Sequence, residues 1–591
     1  MKPKERIHFY FFLFSRATVS LFDLAGILAI GFLATSMALF LTEGSDPDRK
    51  IQVGSISFPA ITAQSLPIIA GLIMLLFIAK AVISIALSHQ LAHFLAKIEA
   101  RAARVIAKNA FGQGLERSRL NSREEILFSV QAGSPSAFNG LLNSLGTLVA
   151  EGSLFLLVIV SFTVVNPLLA LISIGYFGLI GLVIQLFIGK LMQRTGSEIA
   201  KTTVQANAGL SDLGDVLREV VILGREDYFY DRIYQSRMKA SGTAATQFVL
   251  GGMPRYIVET ALIIAIAALL FFQSLSGDFA SSAATLGIFL TGGLRLTASL
   301  LPLQSALLVM KKSGPAAVTA LDLLEDFGNK IAVKSPNQDT GLKQPPVSVD
   351  VEKLSFTFNK TRSPILSEIS LKISPGSQAA IIGSSGSGKS TLADLILGLL
   401  EPTSGSVLVN DMNPRELIKG QPGLLAYVPQ RPGMIFGTIA QNIALGLEVD
   451  EIDEHKLNKS ISEANLTGYI DSLPNGVHTD IGKRKDELSG GQLQRIGLAR
   501  ALYTEPKLLI MDEATSALDA ESENEINKAL DRMRKKVTVL LIAHRLNTIQ
   551  RSDIVFFLEG GRIEAAGTFA ELLKSNETVR NLAKLMNVKS N

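Results

Sequence analysis

Nine residues, Gly383-Ser384-Ser385-Gly386-Ser387-Gly388-Lys389-Ser390-Thr391, constrain this chain more than any other stretch. They follow an apolar, strand-like run (Ala379 to Ile382) and precede a helical pattern from Leu392 to Leu400. A glycine loop between a strand and a helix is the context in which a phosphate is held. With no Cβ in the way, successive backbone N–H groups turn inward around β- and γ-phosphates. The helix N-terminus adds partial positive charge and Lys389 a full one, and the Ser390 hydroxyl can ligate Mg²⁺. The bland alternative, a flexible glycine–serine turn, has to be weighed against what lies downstream.

Upstream of the loop, Val347–Phe358 alternates like a strand and ends in aromatics; Phe358 can stack on adenine or pack in a core. Downstream comes Tyr427-Val428-Pro429-Gln430, where the Gln430 amide can reach Mg²⁺ or an attacking water. Leu488-Ser489-Gly490-Gly491-Gln492 then opens a helix; it can be a plain capped helix start, but the pattern around it favours a second anion site made of free N–H groups and a hydroxyl. One nucleotide has one γ-phosphate, so two anion sites imply that the second serves a nucleotide held by another copy. The apolar strand Leu508-Leu509-Ile510-Met511-Asp512-Glu513 ends in two carboxylates. Asp512 is placed to bind Mg²⁺, and Glu513 to polarise a water for in-line attack. A further apolar strand, Val537–Ile542, leads to His544 at the edge where α/β sheets place ligands.

The first half has another character. The whole chain is 47% hydrophobic and 19% charged, with a mean hydropathy of +0.32. Its apolar residues gather into six candidate membrane spans: Val19–Leu41, Leu66–Leu87, Leu141–Val164, Leu168–Ile188, Ile257–Phe272 (beginning near Pro254) and Leu286–Met310. Each is near the roughly 20 residues that a crossing helix needs. The basic start, Met1 to Arg6, is not followed by a cleavage signal, so the first span is expected to stay. Lys and Arg crowd His89–Gly140 and Lys190–Gly252 and are absent from Gln273–Ala284. The positive-inside bias puts both basic stretches and both ends in the cytoplasm. Ala96–Ala110 and Ala206–Gly224 read as helices running on out of the membrane.

Lys80, Arg255, Glu259 and Arg295 fall within spans, where an ion must face a cavity, a partner or the interface. Arg255 and Glu259 are four apart and can pair; Lys80 and Arg295 sit near mid-span and suit a basic, water-filled substrate cavity for an anionic headgroup. A net charge of +4 is too slight for nucleic acid, and the absence of cysteine excludes disulfides and thiolate chemistry. The six histidines read as scattered, without metal-ligand spacing. The expected organisation is a six-helix, all-α transmembrane domain (1–333), a polar linker (334–346) and an α/β P-loop ATPase domain (347–591).

From about Val347 to Gly567 the chain resembles the nucleotide-binding domain of ABC transporters. The likeness comprises Walker A (Gly383–Thr391), Q-loop (Gln430), signature (Leu488–Gln492) and Walker B (Leu508–Asp512) with catalytic Glu513. It continues through a D-loop (Ser516–Asp519) and an H-loop (His544). With six preceding spans, it is similar to the exporter-type half-transporter. The resemblance implies ATP and Mg²⁺ as cofactors, and a homodimer or a heterodimer with a similar half. Two ATPs would lie between phosphate loop and opposing signature, with Asp519 beside them. It also implies a bilayer and a lipid-like or amphipathic cargo.

Short stretches, Met253–Glu259, Leu294-Arg295-Leu296 and Leu301-Pro302, are similar to the lipid-linked oligosaccharide flippases. Two features depart from the patterns. Ile51–Phe58 looks extended where that branch has a short external helix, and Gly482-Lys483-Arg484-Lys485 stands where exporters usually carry Gly-Glu.

Overall fold

In lipid a backbone must satisfy its own hydrogen bonds, and a long helix does so within one segment. The first half of the chain follows that rule in the computed structural model. It describes residues 2–43, 50–53, 56–59, 66–112, 122–165, 167–276, 279–325, 345–358, 363–481, 488–513, 520–543 and 545–588. Two compact units part between Lys330 and Ile331. The expected linker lies outside the described residues except for Pro345 and Pro346.

Every expected span falls inside a long helical stretch. These are Pro3–Glu43, Leu66–Gly112, a third stretch ending in Asn143–Val165, then Pro167–Asp215, Glu226–Ser276 and Phe279–Glu325. Among the described residues, four are long and apolar enough to cross a membrane: Pro67–Phe111, Arg123–Val164, Ala170–Asp215 and Glu226–Phe271. The first and sixth expected spans lie on helices of which many side chains, 27–43 in the first and 279–292 in the last, are outside the described ones. A 47-residue helix such as Leu66–Gly112 is about 70 Å long, well beyond an apolar layer of about 30 Å.

The details refine the sequence reading. The helix that carries the span expected to begin near Pro254 runs unbroken from Glu226 to Ser276 with the proline inside. A membrane-depth proline is tolerated because neighbouring groups re-satisfy the freed backbone. Ala206–Gly224 is not one helix. It breaks at Val216, just after the poor helix formers Gly214 and Asp215, and resumes as Leu217–Leu223, which ends on Gly224 in the left-handed region (φ 59°).

The third helix starts early, on a Ser122/Glu125 capping box at Arg123, and widens into π-helical turns at Ser129–Gly133 and Ser136–Leu142. There it meets the Phe279–Glu325 helix backbone to backbone. A methyl on Gly133 would lie 2.8 Å from Ala320 Cβ, and one on Gly140 2.4 Å from Ser313 Oγ. Close approach through small residues is how membrane helices associate. Finally, His89 and His93 are not scattered: one helical turn apart, their Nε2 atoms lie 3.0 Å from each other.

Polar side chains tie the same bundle. Gln185 Nε2 donates to Gln304 Oε1 at 2.6 Å, and Lys311 Nζ to the Gln185 carbonyl at 3.0 Å. Arg16 Nη2 donates to Ser88 Oγ at 2.8 Å. Between the first two helices, β1 (Lys50–Val53) and β2 (Ile56–Pro59) pair antiparallel, in keeping with the extended reading of that loop.

The second unit is α/β. Strands β3 (Val349–Phe356), β4 (Leu366–Ile373) and β6 (Ser404–Val409) form an antiparallel sheet in the order β4-β3-β6. A six-stranded sheet has the order β11-β10-β5-β9-β8-β7. Its strands are β5 (Gln378–Ile382), β7 (Leu425–Val428), β8 (Leu508–Asp512), β9 (Thr538–Ile542), β10 (Ile554–Glu559) and β11 (Arg562–Gly567). All neighbours from β10 to β7 run parallel; only β11 is antiparallel.

Strands β5, β8 and β9 are buried along their whole length, which is why they read as continuous apolar runs rather than alternating ones. Alternate residues feed two cores: Ala380, Ile382, Leu509 and Met511 one, Ala379, Ile381, Leu508 and Ile510 the other.

Candidate functional site

Parallel strands bring their C-terminal ends to one edge, and here that edge collects the chemistry. Ile381, Ile542 and Asp512 are lateral partners across β5, β9 and β8, and Val428 of β7 pairs with Met511. One or two residues on lie Gly383, Glu513 and Gln430. The ladder extends past the strands, Glu513 N–H donating to the Ile542 carbonyl at 3.0 Å.

The phosphate loop leaves β5 and enters the Lys389–Ile396 helix, with Gly388 as its N-cap. Two of its glycines are obligatory for different reasons. Gly386 has open space around it, but its φ of 82° belongs to the left-handed region. Gly383 has φ 158°, and a methyl there would lie 2.0 Å from the Leu558 carbonyl oxygen. Gly383→Ala should therefore push the loop off β10 and abolish nucleotide binding, measured with a fluorescent ATP analogue. Affinity within a few-fold of the parent would refute that.

Lys389 is only 6% exposed, and its Nζ donates to the carbonyls of Gly383 (3.1 Å) and Ser384 (2.8 Å). Burial pushes its pKa down, opposed by the Glu513, Asp512 and Glu559 carboxylates. The Ser387 hydroxyl is buried among these groups without a hydrogen-bond partner. A cation held over its own loop, an orphaned hydroxyl and a cradle that a Cβ would fill fit a polyphosphate. Ser384, whose Oγ donates to Glu559 at 3.1 Å, Ser385 and Ser390 are exposed, and Thr391 is half-buried.

Asp512 is 8% exposed and accepts from the Tyr427 hydroxyl at 3.3 Å. Burial, then Asp512 and Asp394, push the tyrosine pKa up, so it remains a donor. Glu513 has φ 47°, a left-handed conformation that costs a non-glycine residue on the order of 1–3 kcal/mol. Gln430 Nε2 donates to Glu513 Oε2 at 2.6 Å. A carboxylate only accepts, so this contact fixes the Gln430 NH₂ and leaves Oε1 directed elsewhere.

Among the described residues no cluster of three or more His, Cys, Asp or Glu forms. The oxygens of Ser390, Gln430 and Asp512 are the kind a Mg²⁺ ion takes alongside substrate phosphates and waters.

Ser489 and Gln492 form a reciprocal capping box: Ser489 Oγ accepts from Gln492 N–H at 3.2 Å, and Gln492 Oε1 from Ser489 N–H at 2.8 Å. Gln492 thus folds back onto its own helix. The Ser489 O–H and the first helical N–H groups, at Gly490 and Gly491, are left to meet an anion. Phe358 packs edge-on against Phe356, ring centroids 4.8 Å apart, half-buried against the core.

His544 and Asp519 lie outside the described residues, as do the Ser516–Asp519 loop and the Lys483-Arg484-Lys485 departure. In the first unit Arg255 and Glu259 form an exposed ion pair at 2.8 Å, Lys80 is half-buried, and the Arg295 side chain is not described.

Tyr427 and Gln494 were visible in the sequence without an assigned role, and Glu559 was passed over. Tyr427 faces Asp512 because it pairs with Ile510, two residues before Asp512 on the same face of β8. That signal exists only once β7 is known to lie beside β8.

Residues 366–516 match the family described as ABC transporter. The ATP-dependent lipid A-core flippase of Methylococcus capsulatus (strain ATCC 33009 / NCIMB 11132 / Bath) is 30% identical over 462 residues, 76% of this chain and 73% of that one. The chain belongs to the ABC transporters. Its ATPase domain is the ATP-binding element of that family, and the helical half marks it as a membrane protein of the exporter type. The ABC multidrug transporter atrD of Emericella nidulans is 36% identical over 279 residues, 46% of this chain. The chain spans about a fifth of that relative's length, 21%. A solved bacterial Atm1-family ABC exporter with ATP bound shares the fold, with a TM-score of 0.75 at 22% identity over 98% of this chain and 99% of that one.

Proposed function

We propose that this ABC exporter works as a dimer of half-transporters, using ATP hydrolysis to move an anionic lipid, best a lipid-linked oligosaccharide, across a bacterial-type plasma membrane. The observation that carries the ATPase part is the meeting of phosphate loop, Asp512, Glu513 and Gln430 at one sheet edge. The dimer is supported by strand order. The phosphate loop follows β5, and the Ser489 helix packs on β7, with β9 and β8 in between. Three strand spacings come to about 15 Å, too far for one γ-phosphate to meet both. Each ATP would thus lie between one copy's loop and the other's Ser489–Gln492.

Hydrolysis follows from the side chains. Glu513 accepts a proton from the attacking water, the γ-phosphorus to bridging-oxygen bond breaks, and ADP and phosphate result. Gln430 holds Glu513 in place, His544 contacts the γ-phosphate, and Phe358 stacks on adenine. Ser390, Gln430 and Asp512 would hold Mg²⁺, which when bound neutralises developing phosphate charge.

The domains divide at 334–346, with the ATPase domain and both termini in the cytoplasm. A lipid cargo is supported by the relative named as a lipid A-core flippase, and an anionic headgroup by Lys80, Arg255 and Arg295 within the spans. ATPase activity in lipid nanodiscs, with and without a polyprenyl-diphosphate glycan, tests the reading. Stimulation that disappears in Arg295→Ala is the expected result. Steady turnover with no response would replace this cargo by a drug, peptide or other lipid.

A further inference from the structure

The Gly490–Tyr503 helix does more than present Ser489. Its residue Gln494 is 3% exposed, and its Nε2 donates to the backbone carbonyl of Gln430. A carbonyl only accepts, so the amide has one possible orientation, NH₂ toward Gln430. Its Oε1 is buried without a hydrogen-bond partner. A simple packing role would be met more cheaply by an apolar side chain, which leaves no such orphan. On the other side, the Gln430 side chain donates to Glu513 Oε2 at 2.6 Å. The same helix also closes on the loop after Gln430, where a methyl on Gly497 would lie 2.5 Å from Pro432 Cγ.

Two hydrogen bonds therefore lead from the helix to the general base through one residue, entering Gln430 at its backbone and leaving by its amide. We propose that Gln494 is a positioning residue for hydrolysis. It pins the Gln430 backbone so that the amide stays on Glu513, and it ties the anion site at Ser489–Gln492 to the general base of the same chain. This rests on the hydrolysis reading above.

The test is a double-mutant cycle on the full-length protein in nanodiscs, read as phosphate release and as ATP-analogue binding. Gln494→Met keeps the length and removes the donor. It should lower kcat about tenfold while KM and analogue affinity stay within about twofold. In a Gln430→Ala background the same change should cost nothing further, because the amide it positions is gone. Equal losses in both backgrounds, or an unchanged kcat, would overturn the proposal. Should Gln494→Met fail to fold, Gln494→Asn, one methylene too short to reach, takes its place in the same cycle. A parent protein that does not hydrolyse ATP would sink the hydrolysis reading itself, and this proposal with it.

Discussion

Glu513→Gln should cut ATP hydrolysis by at least about a hundredfold while ATP stays bound, since general-base catalysis contributes about 10²–10⁴. The expectation comes from what the substitution leaves alone. The side-chain length is kept, so the carbonyl oxygen of the new amide can still accept from Gln430 Nε2 where Glu513 Oε2 now does. The left-handed backbone at φ 47° is equally tolerable for either residue, and the Ile542 carbonyl still receives the backbone N–H. Lys389, Asp512 and the glycine loop are untouched. Only proton acceptance is lost. Phosphate release and retained radiolabelled ATP, measured on the same preparation, check this directly. Turnover within about threefold of the parent would remove Glu513 as the base and return the role to another group at the sheet edge.

Much of this site was legible because its chemistry sits where the chain changes state. Buried parallel strands show as short apolar runs, and a polar residue just past such a run stands out, as Asp512 and Glu513 do after Leu508–Met511. The phosphate loop was legible for the same reason. What was not legible depends on which strands lie side by side. Tyr427 on Asp512, Glu559 on Ser384 and Gln494 on Gln430 each join segments distant in sequence.

Ser489 and Gln492 show the other limit. The spacing of a capping box was present in the sequence and a capped helix start was weighed, but it was set below ligand chemistry, whereas Gln492 spends its amide on its own helix. In the helical half, apolar runs located the spans, but the full length of the helices that carry them was less legible. A helix that continues into water keeps no hydrophobic signature, so its start at Glu226 was not marked and the break at Val216 looked like a continuation. The histidines at 89 and 93 were missed because helical periodicity was applied to apolar residues and not to them.

Lys389→Ala is expected to have the second large effect, and on binding rather than chemistry. Hydrogen bonds to a charged donor contribute about 1.5–3 kcal/mol each, so losing two to phosphate oxygens weakens ATP about a hundredfold or more. The structure adds a second cost. Nζ caps the carbonyls of Gly383 and Ser384, and Gly383 itself is buried against the Leu558 carbonyl. Alanine leaves those carbonyls without their donor and removes a positive charge that interacts with Glu513, Asp512 and Glu559.

Those three carboxylates oppose the burial that lowers the lysine pKa, and a neutral side chain would give them no such countercharge. Lys389→Arg separates charge from shape: the charge is kept, but a planar guanidinium does not fit a side chain buried to this degree. Both variants should lose affinity for a fluorescent ATP analogue, alanine through charge and arginine through fit. An alanine variant that binds ATP as tightly as the parent would mean that the backbone N–H groups of the loop alone hold the nucleotide.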